Sequence, residues 1–271
     1  MENPYYPVKS VIQDVIVETP TIKTLVIKPE KPMPFRSGQF MQLTLPGIGE
    51  APFTPSSSPS RPELIDITLL KTGRLTNYAH DLKKGDIVGL RGGFGKGYPL
   101  DKCEGKEVVV VGGGVGLAPL RALLYYLFEN TDKVKRISIK YGARTPDELC
   151  YTREYDKWRK IPKTDLTITI DRPHPAWNGH VGLVTTLLDN LDINLDNSIA
   201  VSCGPEIMLK FVSAKLVSVG FKPEQIYLSM NRRMSCGIGK CGRCNVGSYL
   251  LCKDGPDMNY AKIKDVPGVF S

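Results

Sequence analysis

Seven cysteines occur in 271 residues, and four of them fall within 17 positions near the C-terminus. Cys236, Cys241, Cys244 and Cys252 are spaced C-x4-C-x2-C-x7-C. The first three follow the C-x4-C-x2-C pattern of plant-type [2Fe–2S] ligation, in which a tight loop wraps one side of the core and a fourth thiolate arrives from further along. Gly237, Gly239 and Gly242 interleave the cysteines; a backbone folded closely around an inorganic core needs φ > 0 positions and room. Two other readings compete. Structural zinc sites usually show C-x2-C pairs separated by a longer spacer, and only one C-x2-C is present here. Disulfides fit poorly with an odd cysteine count and with an N-terminus, Met1 to Tyr6, that has neither a basic nor an apolar signal region. The cluster reading leads, and it asks where the electrons come from.

Further chemistry-bearing stretches lie upstream. Gly112-Gly113-Gly114-Val115-Gly116-Leu117-Ala118-Pro119 follows the apolar run Glu107–Val111 and precedes a helix-length segment reaching about Glu129. Strand, glycine loop and helix together aim backbone N–H groups and a helix N-terminus at a diphosphate. The loop does not satisfy G-x-G-x-x-G, and no carboxylate ends the next strand, which runs Tyr141-Gly142-Ala143-Arg144. Arg144 either meets a 2′-phosphate or caps a strand. Cys203-Gly204-Pro205 closes another strand and opens a helix, where the ligand's reactive end is expected beyond the strand's carboxyl end; a buried cysteine without a chemical role is the competing reading. Lys71-Thr72-Gly73-Arg74-Leu75-Thr76 sets a glycine, a cation and hydroxyls before a short helix, which suits a pyrophosphate. Pro52-Phe53-Thr54-Pro55-Ser56-Ser57-Ser58-Pro59 is read as a loop whose prolines exclude ladder bonding and whose hydroxyls offer donors. His174 and His180, in a long proline-rich loop, match no compact metal template.

The elements that position these stretches change in period along the chain. Up to about residue 100 the strand-like runs Val8–Val17, Thr21–Ile27, Phe40–Leu45 and Leu64–Leu70 are broken by Pro and Gly, and Gly85–Gly95 adds a strand with a glycine-rich exit. This predicts an antiparallel β-barrel or sandwich. From 101 to 228, strands at Arg136–Tyr141, Leu166–Asp171, Ser198–Cys203 and Gln225–Met230 alternate with helices expected at Asp147–Lys160, Val181–Leu191 and Pro205–Val219. That order predicts an α/β doubly wound parallel sheet. Residues 229–271 form a small third unit around the cysteines. The net charge is +8, but the 36 Lys and Arg are dispersed and no nucleic-acid-binding motif is found. From Ser229 onward seven Lys/Arg face three Asp, which balances an anionic tetrathiolate core. The best apolar run, Leu117–Phe128, is interrupted by Arg121 and is too short to span a bilayer. A cytoplasmic protein is expected.

The order GEAPF-SSSP, GRLT, RGGFGKGYP, GGGVGLAPLR, CGP and RRMSCGIGKCGRC…CKDGP resembles the ferredoxin–NADP reductase superfamily. Within it, the chain is similar to the electron-transfer subunits with a C-terminal [2Fe–2S] cluster. These include the hydrogenase (sulfhydrogenase) gamma subunit and the electron-transfer subunits of anaerobic sulfite reductase and of dihydroorotate dehydrogenase, the first being the branch favoured. The resemblance implies an NAD(P)H-dependent flavin oxidoreductase that passes electrons through FAD and the cluster to the catalytic and iron–sulfur subunits of a larger redox complex. Carried over by position, Pro52, Phe53, Thr54 and Ser56 lie against the flavin, with Thr54 at its reactive edge. Gly73, Arg74, Leu75 and Thr76 hold the FAD pyrophosphate. Gly113, Gly114, Val115 and Gly116 contact the NAD(P) diphosphate. Cys203, Gly204 and Pro205 border the nicotinamide, and Cys236, Cys241, Cys244 and Cys252 ligate the cluster. Many flavin reductases have Arg-x-Tyr-Ser/Thr where this chain has Ala51-Pro52-Phe53-Thr54, so its flavin contacts must differ. A zinc-binding, nucleotide-sensing scaffold is the alternative of a different class.

Overall fold

The computed structural model describes residues 3 to 270; Met1 and Glu2 of the N-terminal stretch, and Ser271, lie outside the described residues. Six strands form the first sheet: β1 (Val8–Thr19), β2 (Ile22–Pro29), β3 (Phe40–Leu45), β4 (Gly49–Phe53), β5 (Ile65–Leu70) and β6 (Ile87–Phe94). They pair antiparallel in the order β4-β3-β6-β1-β2-β5. Ile12, Leu25, Ile27, Leu43, Ile65 and Leu90 fill the interior. The outer strands meet where Ser56 N donates to Asp66 O (2.8 Å) and Asp66 N donates to Ser57 Oγ (3.0 Å), curling the sheet into the expected barrel. One expectation is corrected here. Pro52 does not lie outside the ladder: it is part of β4 and pairs with Gln42 of β3. β4 is an edge strand, where a residue without an N–H is tolerated because that side has no partner to donate to. Helix α1 (Arg74–Ala79) follows β5, and α2 (Leu100–Cys103) leads out of the barrel.

The second sheet has the order β10-β9-β8-β7-β11-β12-β15. Its strands are β7 (Glu107–Gly113), β8 (Arg136–Ala143), β9 (Thr164–Ile170), β10 (His180–Val181), β11 (Ser198–Cys203), β12 (Ile226–Ser229) and β15 (Asp257–Asn259). The pairs are parallel except β12–β15. β7 is apolar throughout because both its faces are covered, as central parallel strands require. Val108 and Val110 belong to one core with helix α3 (Leu117–Glu129), while Val109 and Val111 belong to another with helix α5 (Glu206–Ser218). The chain order reverses between β7 and β11, so the glycine loop and the Cys203 turn lie side by side at the switch point. The cysteine-bearing segment is no loose appendage: after the hairpin β13 (Asn245–Val246)–β14 (Tyr249–Leu250) and helix α6 (Leu251–Asp254), it returns β15 to the sheet, and α7 (Tyr260–Ile263) follows.

Helix α3 joins the two halves. Leu117, Ala118, Leu120, Ala122, Leu123, Leu124 and Leu127 are buried around most of its circumference, because it packs on the sheet and also sends Ala122 into the barrel core. Arg121 is buried at this junction. Its guanidinium donates to Asp66 Oδ2 (3.1 Å), the Ser56 carbonyl (3.1 Å) and Glu154 Oε1 (2.7 Å), and Tyr125 Oη donates to Glu154 Oε2 (2.9 Å). The Tyr151 ring lies 4.6 Å from the guanidinium carbon, and its hydroxyl reaches Thr68 Oγ1 at 2.7 Å.

This junction explains a second correction. The expected helix Asp147–Lys160 is two short 3-10 turns, Pro146–Glu148 and Thr152–Glu154, and then α4 (Tyr155–Arg159). Tyr151 takes φ 60° between them, a bend that seats its ring against Arg121 and overrides local helix preference. The expected helix Val181–Leu191 is likewise replaced by β10, which pairs with β9, and a 3-10 turn at Val184–Leu188. Its β-branched residues Val181, Val184, Thr185 and Thr186 favour extended backbone over helix.

Replacing Arg121 by Met leaves Asp66 and Glu154 buried without their cation and should cost about 3–5 kcal/mol. The urea midpoint should fall accordingly, and adding Asp66→Asn and Glu154→Gln should recover part of the loss; an unmoved midpoint would count against this junction.

Candidate functional site

The four clustered cysteines are brought together by a loop and the hairpin behind it. Gly237, Gly239 and Gly242 take φ of 76°, 75° and 73°, so the loop coils with its amides turned inward. Gly239 N donates to Cys252 Sγ (3.1 Å), and Lys240 N and Cys241 N donate to Cys236 Sγ (3.3 and 3.4 Å). Hairpin β13–β14 carries the chain back, and α6 supplies Cys252 from within the core. Cys236, Cys244 and Cys252 are buried, while Cys241 is exposed. Burial pushes the Cys236 thiol up, but N–H donors from Ile238, Cys241 and Lys240 outweigh it and hold the thiol down near about 6. Cys252 is pushed up to about 12 by burial and by Cys244 and Cys236. Sulfurs that repel one another's charge while backbone amides stabilise it form a donor set suited to cationic iron. Among the described residues no three His, Cys, Asp or Glu side chains converge on one point suited to a single ion; a two-iron core takes two thiolates per iron.

A second buried arginine docks this loop on the barrel. Arg91, on β6, donates from Nη1 to the Cys236 carbonyl (2.8 Å) and from Nη2 to the Ser235 carbonyl (3.0 Å). It also pairs bidentately with Glu50 of β4 (Nε–Oε1 2.7 Å, Nη2–Oε2 2.5 Å). Burial pushes the Glu50 carboxyl up, but Arg91 and Thr44 outweigh it and hold it below the ordinary glutamate value. Beside this fork Gln42 Nε2 donates to the Met234 carbonyl (3.1 Å) and Lys96 N to the Gly255 carbonyl (2.7 Å). Gly237 packs on the Phe94 ring so closely that a Cβ there would stand 2.9 Å from it. The cysteine loop is therefore seated on the strands that also carry Pro52 and Phe53.

At the switch point Gly116 packs on the Cys203 turn, where a Cβ would fall 2.5 Å from the Cys203 carbonyl. Gly114, by contrast, has open space where its Cβ would be, and Gly114 and Val115 are half-buried at the surface of the loop. That is a backbone a diphosphate can approach. Gly113 lies against Met208 of α5. The Cys203 side chain faces the interior and is pushed up to about 12, by burial and then by Asp257, so it is a packed neutral thiol rather than a nucleophile. Gly204 and Pro205 reach the surface beside it. Arg144 and Arg172, exposed at the neighbouring ends of β8 and β9, flank Asp171; burial raises its carboxyl and the two arginines oppose that.

Pro52, Phe53 and Thr54 are half-buried at the end of β4. A cleft of about 440 Å³ opens there, lined by Pro52, Glu206, Asn231, Arg232 and Arg233. It thus lies between the barrel, the start of α5 and the tether to the cysteine loop, with Arg232 ion-paired to Glu206. Ser56 is elsewhere: it is fully buried, its hydroxyl 2.8 Å from Thr68 Oγ1, so it serves the barrel wall and not the cleft. Beyond β5, Thr72 N and Gly73 N both donate to Thr76 Oγ1 (3.0 and 2.9 Å), which pins the loop from within. Gly73 is open and Arg74 exposed, so the amides of the first turn and the Arg74 guanidinium are the groups free to meet a pyrophosphate. His174 and His180 are engaged locally, with Ala176 N and Thr169 Oγ1. Arg91 and Arg121, which tie these parts together, stand at the start of RGGFGKGYP and the end of GGGVGLAPLR, but sequence reasoning gave neither a role; the one signal was an arginine beside an apolar stretch.

Two family descriptions match: residues 110–214 match an oxidoreductase NAD-binding domain, and residues 231–264 match the iron–sulfur cluster binding domain of dihydroorotate dehydrogenase B. The chain is 35% identical to the sulfhydrogenase 1 gamma subunit of Pyrococcus furiosus, over 99% of this chain and 96% of that one. It is 34% identical to a probable dihydroorotate dehydrogenase B (NAD(+)) electron transfer subunit of Methanocaldococcus jannaschii, over 92% and 88%. Among solved structures, it is similar to an NADH-dependent reduced ferredoxin-NADP oxidoreductase, with a TM-score of 0.75, 25% identity and coverage of 98% and 94%.

Arg91→Lys keeps the charge but loses the fork that reaches two carbonyls and Glu50. Amides 235–244 should then exchange with deuterium faster than in the wild type, and unchanged protection would sink the docking role. Because Glu50 is held low in the fold, its contribution is present above the ordinary glutamate value and is lost as pH falls through its lowered one. Glu50→Gln should therefore destabilise at neutral pH and lose that effect progressively as pH falls below the ordinary glutamate value and through the lowered one, as thermal unfolding across that range would reveal.

Proposed function

Because the chain belongs to the family of sulfhydrogenase gamma and dihydroorotate dehydrogenase B electron-transfer subunits, we propose that its three modules form one electron path from a nicotinamide, past a flavin, to an iron–sulfur centre at the surface. It is an NAD(P)H-dependent flavin oxidoreductase subunit with FAD and an iron–sulfur cluster. The observation that carries the path is the convergence of Pro52 of the barrel, Glu206 beyond the Cys203 turn and the tether Asn231–Arg233 on one cleft. The residues around this cleft would hold a flavin, which when bound would supply two-electron exchange with a nicotinamide and one-electron exchange with an iron–sulfur centre.

On this reading the protein's residues position and do not react. Gly114 and Val115 present backbone to the nucleotide diphosphate at the switch point, with Gly113 and Gly116 packing the loop in place. Gly204 and Pro205 border the nicotinamide, with Cys203 as the packed floor beneath them. Pro52, Phe53 and Thr54 face the flavin, and Gly73, Arg74 and Leu75 take its pyrophosphate over the Thr76 cap. Cys236, Cys241, Cys244 and Cys252 hold the cluster. Hydride transfer needs alignment more than an acid–base pair, so a scaffold of fixed backbone suffices.

Cys241 is the exposed ligand position, and Lys240, Gly242 and Arg243 beside it are exposed as well. We infer that this basic rim docks the electron-accepting partner, a catalytic subunit of a larger complex. A nickel–iron hydrogenase is our first choice, with anaerobic sulfite reductase and dihydroorotate dehydrogenase as the other branches. No helix among the described residues is long and apolar enough to cross a membrane.

Anaerobically purified protein should show a flavin spectrum that bleaches on addition of NADH or NADPH; a flavin indifferent to both would overturn the reading. Cys252→Ser should abolish or strongly perturb the low-temperature EPR signal of the reduced cluster, and one zinc with no iron or acid-labile sulfide would favour the scaffold alternative. Co-purification of the native chain identifies the partner.

A further inference from the structure

One buried group has no place in that path. Asp257 opens β15, the strand that the cluster segment returns to the nucleotide-binding sheet, and it pairs in register with Ser229 of β12. It is 6% exposed, and among the described residues neither carboxylate oxygen has a hydrogen-bond partner, nor has the buried Tyr98 hydroxyl. The two lie together: a Cβ placed on Gly38 would fall 2.2 Å from Asp257 Oδ2 and 2.8 Å from the Tyr98 ring. Ser202 of β11 pairs with Leu228 of β12, and Ser229 with Asp257, so Cys203, Ser229 and Asp257 stand in one row across the sheet. Barrel, nucleotide-binding sheet and cluster segment thus meet at one carboxyl group.

A charged carboxylate in such a place is costly unless paired. The groups facing Asp257 are Tyr98 from the segment leaving the barrel, Cys203 from β11, Ser229 from β12 and the backbone of Gly38. Among the described residues it makes no ion pair. Tyr98 is pushed well above its usual range by burial, Asp257 and Cys203, so it offers no counter-charge. Burial likewise drives the Asp257 carboxyl well above the ordinary range, and only the Ser229 hydroxyl favours the charged form.

We propose that Asp257 is held as the neutral carboxylic acid, and that in this form it is a positioning residue that lets β15 pack uncharged against Gly38 and Tyr98, in the row that ends at Cys203 and the nicotinamide border. The positioning role rests on the reading of the Cys203 turn given above; the protonation state does not. Ionisation would force a charge into a site with no cation. The carboxylate would then draw toward water and take β15, and with it the support of the Cys203–Pro205 turn, out of register.

Three measurements on the holoprotein test this. The infrared spectrum at pH 7 should contain a protonated-carboxyl C=O band that is missing in Asp257→Asn; its absence from the wild type overturns the proposal. The second is stability. An acid whose pKa is raised in the fold contributes fully below its unfolded pKa and loses that contribution as pH rises through the folded one. The unfolding equilibrium of the wild type, compared with Asp257→Asn, should therefore worsen by about tenfold per pH unit from about pH 4 upward until the folded pKa is passed. Parallel pH curves overturn it. Neither result depends on nucleotide binding or electron transfer, so both can fail while the proposed path stands. The third is anaerobic flavin reduction by NADH or NADPH. Asp257→Leu should slow it by about tenfold at all pH values, and Asp257→Asn should restore most of the rate while abolishing a fall present in the wild type at alkaline pH. An alkaline fall unchanged in the Asn variant overturns the positioning role. If the Asn variant does not fold, aspartate isotope labelling of the wild type decides the infrared assignment.

Discussion

A single guanidinium buried between two modules is the constraint on which the architecture turns. Arg121 sits on the apolar part of α3, and its charge is tolerable because Asp66 comes from the barrel and Glu154 from beyond β8. Asp66 depends on Arg121 in turn, and Glu154 on Arg121 with Arg153 further off. A buried ion pair is weak evidence for net stability, since desolvation consumes much of its attraction. Its consequence here is geometric. The barrel can sit in only one place on α3 without stranding a charge, and that place brings Pro52 to the cleft it shares with Glu206.

Arg91 applies the same logic at the other junction. It meets carbonyls rather than a second carboxylate, and the Glu50 pairing fixes the direction of the fork. Both arginines sit behind the cleft and not in it. The relative placement of barrel, nucleotide-binding sheet and cysteine loop is thus set by two buried cations, each reaching backbone carbonyls of another module.

Much of the local structure was legible from residue pattern. The cysteine spacing and its interleaved glycines gave φ > 0 positions where a coiling loop needs them. The continuous apolar run of β7 and the alternating runs of the barrel announced one strand covered on both faces and others covered on one. What failed did so where distant contacts outweighed local preference. Tyr151 abandons helix because a buried cation and Thr68 need its ring and hydroxyl. Pro52 joins a ladder because only the topology reveals that β4 is an edge. Ser56 and Thr76 have the hydroxyls that a ligand loop suggests, yet both are spent on the protein itself, one on the barrel wall and one on its own turn. Asp257 was invisible, because an acidic residue in a short C-terminal segment reads as surface until β15 is seen beside β12.

The antiparallel strand β15 also bears on how the molecule comes into being. A chain leaving the ribosome completes five neighbouring parallel strands, β9 to β12 in space, before the last cysteine of the cluster has been translated. The edge of β12 then stands open, with the unpaired backbone groups that invite aggregation, until residues 257–259 arrive to cover it. The chain between β12 and β15 is the one that carries the four cysteines, so the cluster module cannot be trimmed or exchanged as a cassette without reopening the sheet edge it covers.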